Sequence, residues 1–520
     1  MLNTAVRNTN KLIRQKSQSE GIRIGNRFTK KATARLMASI PAYSRRDCVY
    51  LLDPGAGTGI LTAAAAEELA RAGVSEIHAD LYETDADMLP TLENNMRRVR
   101  RKCHHDYGVR FRFRILSEDF LTAYADDGKD KPHYDYVFMN PDDEQEDKDA
   151  DAVGLYRTAF SIPVSRAFYF LDAALRALKD GGHLVAVVPT LFATADSCEK
   201  LRAHLFSGYA VPRVHLFSAK DKIRDIDGSR RDELKKHMLL YCVKSAPLTE
   251  IAYSDSYDDG EAVTMLPVFP RSFAVRGDEC RMLLLQSEKE YAAIRALESL
   301  PETLTTLGLR MRTGLVIPSR YTELLYNEPT DDTIPLLSPR GIRNGHIDFP
   351  HAEENQYIKP RIPSLAQDNK NMLLLKRVPA KADGRHLYAA VYLASQLPYT
   401  QKISTENKLI YVDYADGREL DAPLLHGLYA LVNSTPYECY CSILSKSAQV
   451  NAGEYKNLPF PDAEAIRKIG RTMMTSRQYT ARICDILART ALRLPTEEQP
   501  AQEKTGLNDS SEAEKFAVLS

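Results

Sequence analysis

An α/β fold on an open, mostly parallel sheet, followed by a second domain of mixed α+β character, is what this sequence predicts. Three observations carry the prediction. Strand patterns alternate with helical stretches through the first half of the chain, as they do where helices form the crossovers of a parallel sheet. A glycine-rich turn, Asp53-Pro54-Gly55-Ala56-Gly57-Thr58-Gly59, separates the first strand from the helix after it. Beyond about residue 250 the pattern changes to short strands punctuated by Pro and Gly.

The elements follow in order. Cys48–Asp53 is a short apolar run ending in Asp, and Leu61–Ala72 is helical. Glu76–Glu83 reads as the second strand, Asn94–Val99 lies in a helix, and Arg110–Leu116 alternates as a strand does. Tyr134–Asn140 is the fourth strand. An amphipathic helix, Phe168–Lys179, is closed by Gly181-Gly182, and His183–Pro189 is the fifth strand. Arg213–Ser218 and His237–Lys244 read as closing antiparallel strands. In the second half, helical content is expected around Ala389–Gln396 and Pro423–Val432, and again over 464–492; from Pro495 the chain is polar and expected to be disordered. These patterns divide the chain into a domain over 1–250, a linker region over 251–300, a second domain over 301–465, and a C-terminal helix and tail over 466–520.

Composition narrows the class. The 520 residues are 44% hydrophobic and 27% charged, as a soluble globular chain of more than one domain is. Eight cysteines lack any C-x-x-C pair, which speaks against both a zinc framework and a secreted disulfide scaffold, so no metal is expected. No apolar run approaches the ~20 residues needed to cross a bilayer, no signal-peptide core is visible, and a cytoplasmic protein with no membrane partner is expected. The net charge of −1 hides an asymmetry: residues 1–46 hold eleven Lys and Arg against one acid, Glu20. A second basic cluster runs from Arg97 to Arg114, and an acidic run extends from Asp142 to Asp151. Basic clusters of this size suit phosphate contacts or a solvated face.

The glycine turn predicts a ligand site. Gly55 and Gly57 let backbone approach a ligand closely, and a helix N-terminus faces it. The pattern is G-x-G-x-G, with Ile60 where a dinucleotide fingerprint has its third glycine, and no G-K-[ST] follows as in a P-loop. Glu83 ends the second strand, where a carboxylate can accept both hydroxyls of a ribose, and Asp119 follows the third, within reach of a base. Acids and glycines ordered at successive strand ends are more specific than a lone glycine turn, because ligands of such sheets bind at the carboxyl edge.

The segment Asp53–Leu61 (DPGAGTGIL) resembles the S-adenosylmethionine-binding motif of class I methyltransferases, whose Rossmann-like sheet matches the pattern above. Its form resembles that of the TaqI-like adenine-N6 DNA methyltransferases of restriction-modification systems. The resemblance implies S-adenosylmethionine as cofactor, with Asp53, Gly55, Gly57, Glu83 and Asp119 as contacts. Gly25-Asn26-Arg27-Phe28-Thr29 resembles the family's G-x-x-F-T segment, with Lys30 in place of the usual Pro, and implies that Phe28 and Thr29 also border the cofactor. In the family the fourth strand ends in Asn-Pro-Pro-Tyr or Asn-Pro-Pro-Phe; the Asn side chain and first Pro carbonyl accept the two N–H bonds of the target amino group, and the aromatic ring stacks on the flipped base. This chain reads Asn140-Pro141-Asp142-Asp143. Asn140 and Pro141 keep the catalytic positions, while the second Pro and the ring are replaced by acids; Tyr156 and Phe160 are the nearby aromatic residues. Gly154-Leu155-Tyr156-Arg157-Thr158-Ala159-Phe160 resembles the segment that follows the motif in the same branch.

Thr313-Gly314-Leu315-Val316 with Arg320, Pro335–Pro339, Ile342-Arg343-Asn344-Gly345 and Gln449-Val450-Asn451, the last in Ala448–Ala452, resemble the target-recognition domain of that branch. The resemblance implies double-stranded DNA as partner, with Arg320, Gln449 and Asn451 as DNA-binding candidates and Gly314 and Asn344-Gly345 as turn residues. It also implies a cognate restriction endonuclease or partner subunit. The expected function is methylation of adenine N6 in duplex DNA; the alternative is a catalytically impaired DNA-binding relative or a partner-dependent recognition subunit.

Overall fold

The computed structural model describes residues 1–20, 28–125, 133–142, 154–156, 159–160, 162–224, 230–257, 261–351, 354–378, 387–444, 450, 455 and 457–494. The chain divides into two units: Met1–Lys222 with Asp232–Ser287, and Ile223–Arg231 with Glu288–Ser520.

In the first unit the elements run α1 (Leu2–Glu20), α2 (Lys31–Ser39), β1 (Cys48–Pro54), α3 (Ile60–Arg71), β2 (Glu76–Tyr82), α4 (Leu89–Tyr107), β3 (Arg110–Leu116), α5 (Phe120–Ala123) and β4 (Tyr134–Met139). After these come α6 (Arg166–Arg176), β5 (Leu178–Pro189), α7 (Glu199–Gly208), β6 (Ala210–Arg224), β7 (Arg230–Val243), β8 (Glu250–Tyr257) and β9 (Glu261–Pro270). One nine-stranded sheet has the order β3-β2-β1-β4-β5-β7-β6-β8-β9. Strands β1 to β5 pair in parallel, and β7 enters antiparallel to β5. The order reverses between β1 and β4, which opens a crevice at their carboxyl ends. Parallel strands are covered on both faces, and Val49, Leu51, Leu52, Ile77 and Leu81 are accordingly buried. Buried Ala63–Ala66 bring α3 close against the sheet.

The sequence did not announce α1, whose pattern is mostly polar. The helix is held by its narrow buried stripe and by specific bonds: Asn8 Nδ2 donates to Asn95 Oδ1 at 2.7 Å, and the Thr9 and Thr58 hydroxyls meet at 2.6 Å. Met1, just before the helix, lies against Cys103 and Lys16 pairs with Asp87 at 2.6 Å, so α1 runs antiparallel to α4.

Three expectations are corrected. The sixth helix is Arg166–Arg176, not Phe168–Lys179, and Gly181-Gly182 does not close it. Those glycines lie in an excursion at the start of β5, where Tyr134 pairs with Leu178 but Tyr136 with His183. Gly181 takes φ +73° there, and a Cβ at Gly182 would meet two backbone oxygens at 2.8 Å. The described residues within 251–300 are folded rather than a linker: β8 and β9 extend the sheet, and Glu288–Glu298 is a helix of the second unit. The helical expectation at Ala389–Gln396 also fails. Ala389–Tyr392 is a fully buried strand paired with Met372–Lys376, and only Ala394–Gln396 makes a helical turn.

The second unit contains a six-stranded and a five-stranded sheet. Helix Ala422–Val432 crosses helix Ala463–Ser476 at Gly427 and Gly470, where a Cβ on Gly470 would fall on the Pro423 carbonyl. A further helix, Ala481–Leu492, follows. The residues from Pro495 lie outside the described ones.

Candidate active site

The crevice at the switch point is a solvent-open cleft of about 250 Å³. Its wall brings together Phe28, Gly55, Gly57, Glu83, Asp119, Asn140 and Pro141, seven of the residues singled out from the sequence. They come from the connection before α2 and from the carboxyl ends of β1, β2, β3 and β4 in turn.

The turn after β1 is shaped by backbone. Gly55 and Ala56 donate to the Tyr82 carbonyl at 3.0 and 2.8 Å, pinning the turn to β2. Gly55, Gly57 and Gly59 take φ of +78°, +56° and +77°, a region where a side chain is strained. Their surroundings differ. A Cβ at Gly57 would meet nothing within 4 Å, so that residue opens the cradle. At Gly59 it would sit 2.6 Å from Met96 Cε and 2.8 Å from Leu92 Cδ1, so that glycine serves helix packing.

Glu83 is held from both sides: Oε2 accepts from Gly57 N and Oε1 from Asp85 N, each at 2.7 Å. A carboxylate so held still has lone pairs for two hydroxyls. Asp53 does not form part of the cleft wall. It is 1% exposed, and its Oδ2 accepts from Thr62 N at 3.2 Å and Thr62 Oγ1 at 2.6 Å. Burial raises its pKa to about 7, with Glu83 adding to the rise and the Thr62 bonds opposing it. Its Oδ1 is buried without a hydrogen-bond partner among the described residues.

Asp119 caps α5 by accepting from Leu121 N at 2.9 Å, and Arg166 donates to its Oδ2 at 3.2 Å. The same guanidinium lies 5.5 Å from the Phe170 ring centre. Phe120 and Phe170, 5.5 Å apart, add an aromatic floor. Arg166, Phe120 and Phe170 were missed from the sequence, although Phe120 directly follows Asp119 and Arg166 and Phe170 share one face of α6. Five carboxylates, on Glu83, Asp85, Glu118, Asp119 and Asp142, and one described cation, Arg166, line the cleft. Such a wall favours a cationic ligand.

At the end of β4, Asn140 Nδ2 donates to Thr29 Oγ1 at 3.0 Å. Thr29 therefore touches the site through Asn140, and it fixes the amide so that Oδ1 remains the acceptor. Tyr156 and Phe160 cannot present a ring here. Tyr156 is 2% exposed with its hydroxyl on the Leu121 carbonyl, and Phe160 is 4% exposed and packs edge-on against Tyr169. Asp143 lies outside the described residues.

Of the DNA-binding candidates, Arg320 is exposed on the turn Pro318–Arg320, while Gln449 and Asn451 lie outside the described residues. Asn344 and Gly345 form the two-residue turn between Ile342–Arg343 and His346–Ile347, at φ +49° and +77°. Gly314 packs its backbone on Glu406. Among the described residues no helix is long and apolar enough to cross a membrane.

No family model matches the chain. It is similar to the type II methyltransferase M.BsuBI of Bacillus subtilis, 23% identical over 486 residues that cover 91% of this chain and 94% of that protein. It is also similar to the type II methyltransferase M.PstI of Providencia stuartii, 23% identical over 459 residues covering 86% and 89%. Among solved structures it is similar to the type ISP restriction-modification enzyme LlaGI, as a nuclease-deletion mutant with a DNA substrate mimic. There the TM-score is 0.48 at 10% identity, over 89% of this chain and 56% of that one. For the type IIG restriction endonuclease BpuSI the TM-score is 0.41 at 12% identity, over 89% and 64%. The chain thus spans less than two thirds of these two larger proteins.

Proposed function

We propose that this protein is an S-adenosylmethionine-dependent DNA methyltransferase of a restriction-modification system, acting on N6 of an adenine turned out of the duplex. The observation that carries the reading is the convergence in one cleft of the glycine turn, Glu83, Asp119 and Asn140-Pro141. Similarity to two type II methyltransferases over most of the chain supports it.

S-adenosylmethionine is the cofactor, and the residues present fit it. Gly57 leaves an open cradle, Glu83 is aligned for ribose hydroxyls, Asp119 and Phe120 suit the edge and face of a base, and Phe28 closes the other side. When bound, the cofactor supplies a methyl group activated on a sulfonium. Asn140 Oδ1 and the Pro141 carbonyl accept the two N–H bonds of the adenine amino group and direct its lone pair into the cleft. The gain is one of position and electrostatics, with no strong base required. The second unit reads the DNA sequence, with Arg320, Gln449 and Asn451 as contacts, and a cognate nuclease or partner subunit completes the system.

A second reading, a DNA-binding relative with little turnover of its own, is favoured by one specific observation. Asp142 lines the cleft where the motif has Pro, and the two nearby aromatic residues are buried in the core. Stacking on a flipped base contributes ~1–3 kcal/mol where it exists. Tritium transfer from S-adenosylmethionine to duplexes of varied sequence tests both readings, with Asn140→Ala as control. Transfer abolished in the control supports methylation. Transfer that appears only with Asp142→Pro and Asp143→Tyr supports the second reading, and none from either protein overturns the first.

A further inference from the structure

One strongly charged surface is left unused by the cleft. On α1, Arg7, Lys11 and Arg14 recur at three- and four-residue steps on the exposed face. On α4, Arg98, Arg101, Lys102 and His105 line a groove of about 350 Å³ that Thr4 of α1 closes. Because the two helices run antiparallel, with Met1 at Cys103, Asn8 at Asn95 and Lys16 at Asp87, the rows continue one another: Arg7, Lys11 and Arg14 lie along the first half of α4 and Arg98–His105 lie beyond them.

The six Lys and Arg of these rows have no ion pair among the described residues, and Asp106 is the acid that lines the groove with them. Glu93 holds Arg97 at 2.7 Å, Asp87 holds Lys16 at 2.6 Å, Glu67 holds Arg71 at 2.6 Å, and Asp106 meets His105 at 3.0 Å. Among the described side chains the surface also lacks an apolar anchor: α1 exposes no large hydrophobic residue there, and α4 exposes only Tyr107. Protein interfaces bury aromatic and apolar anchors at their centre, whereas phosphate backbones are bound by unneutralised Lys and Arg.

The location carries the α4 row away from the cleft, while the α1 row leads back toward the cleft edge, where Lys16 meets Asp87. Helix α4 starts at the carboxyl edge of the sheet, beside Glu83 and Met88, and ends at the amino edge, where β3 begins. His105 lies sixteen residues beyond Leu89, so at 1.5 Å per residue the groove reaches about 24 Å from the cleft edge.

We propose that the α1–α4 face is a second, sequence-independent site for the phosphate backbone of duplex DNA, able to hold one duplex while the cleft serves another. The proposal rests on the DNA reading above, but its test does not depend on methyl transfer. The full chain is titrated with a nonspecific duplex from 50 to 200 mM salt by fluorescence anisotropy, and duplexes bound per protein are counted by sedimentation. Arg98→Gln/Arg101→Gln/Lys102→Gln and, separately, Arg7→Gln/Lys11→Gln/Arg14→Gln are compared with the parent.

Two duplexes per parent protein and one per variant are expected. Each variant should also have a log–log salt slope shallower by about 2–3, at ~0.9 per lost phosphate contact. Site-specific binding at low salt and S-adenosylmethionine affinity should stay within two-fold of the parent. An unchanged slope and stoichiometry in both variants overturns the proposal. An equal loss of site-specific binding overturns it too, since the face would then belong to the main DNA surface. Polyglutamate competing as well as duplex would assign the face to an acidic protein instead. Loss of methyl transfer with two-duplex binding intact would count against the catalytic reading alone.

Discussion

Replacing Glu83 by Ala isolates the ribose contact from the rest of the cleft. In the structure both carboxylate oxygens are aligned by backbone donors at 2.7 Å, from Gly57 and Asp85. The change removes a charged acceptor for the cofactor hydroxyls and the bond that holds Gly57 at positive φ. A hydrogen bond to a charged group contributes ~1.5–3 kcal/mol, which is roughly a 10- to 150-fold rise in Kd for S-adenosylmethionine. Glu83→Gln keeps one oxygen but turns an NH2 toward either Gly57 N–H or Asp85 N–H, donor against donor, so it should lose affinity as well. Isothermal titration calorimetry measures both, and a thermal melt without cofactor shows whether each variant still folds. Because the readout is binding, the result does not depend on whether the altered motif turns over. An Ala variant that binds within three-fold of the parent would refute the assignment of Glu83.

Other outcomes follow from the same geometry. Thr29→Val should lower methyl transfer by roughly two- to ten-fold, the ~0.5–1.5 kcal/mol of a neutral hydrogen bond, with cofactor Kd unchanged; Thr29→Ser should restore it in a kinetic assay. His215, buried between Ser254 and Ser256, is lowered to about 4 by burial, with Arg213 adding to the effect. The unfolded chain therefore binds the extra proton between pH about 6.5 and 4, and stability falls as pH falls through that window; a His215→Gln melt series should lack this component. Asp53 is raised, so its contribution has the opposite sign: it is present in acid and is lost as pH rises toward 7, a slope that Asp53→Asn should remove. Gly470→Ala forces a methyl group onto the Pro423 carbonyl and should cost more than ~3 kcal/mol, read as a large drop in Tm or failure to fold.

Much of the first unit was legible because a parallel sheet writes itself as apolar runs ending in Asp, Glu and Asn, and the strand ends are the site. Asp53, Glu83, Asp119 and Asn140 could be found in order for that reason, although Asp53 turned out to stand behind the turn rather than in the wall. Arg166 and Phe170 were not legible, since a helix carries no mark of which face meets a cleft made by other segments. Helix α1 was missed because its seat depends on single partners, Asn95 and Thr58, rather than on a broad apolar stripe. The strand at Ala389–Tyr392 was mistaken for helix because its two alanines favour helix locally while burial between neighbouring strands decides the outcome. Asn344-Gly345 was read correctly as a turn, because positive φ at two successive positions leaves few residue choices.

The Thr29–Asn140 bond joins residues 111 positions apart, and the seat of α1 depends on partners 87 and 49 positions away. Contacts so distant in sequence close long loops, and such closure slows folding. The central strands share this property, since Leu51 of β1 pairs with Tyr136 of β4, and the cleft is complete only when the sheet and its N-terminal wall have both formed. A cofactor that binds only the completed cleft stabilises it by RT ln(1 + [L]/Kd), about 2.7 kcal/mol at a hundred-fold excess over Kd. Cofactor supply and completion of the cleft are therefore thermodynamically linked. A cell short of S-adenosylmethionine would hold more of this chain with the cleft incomplete.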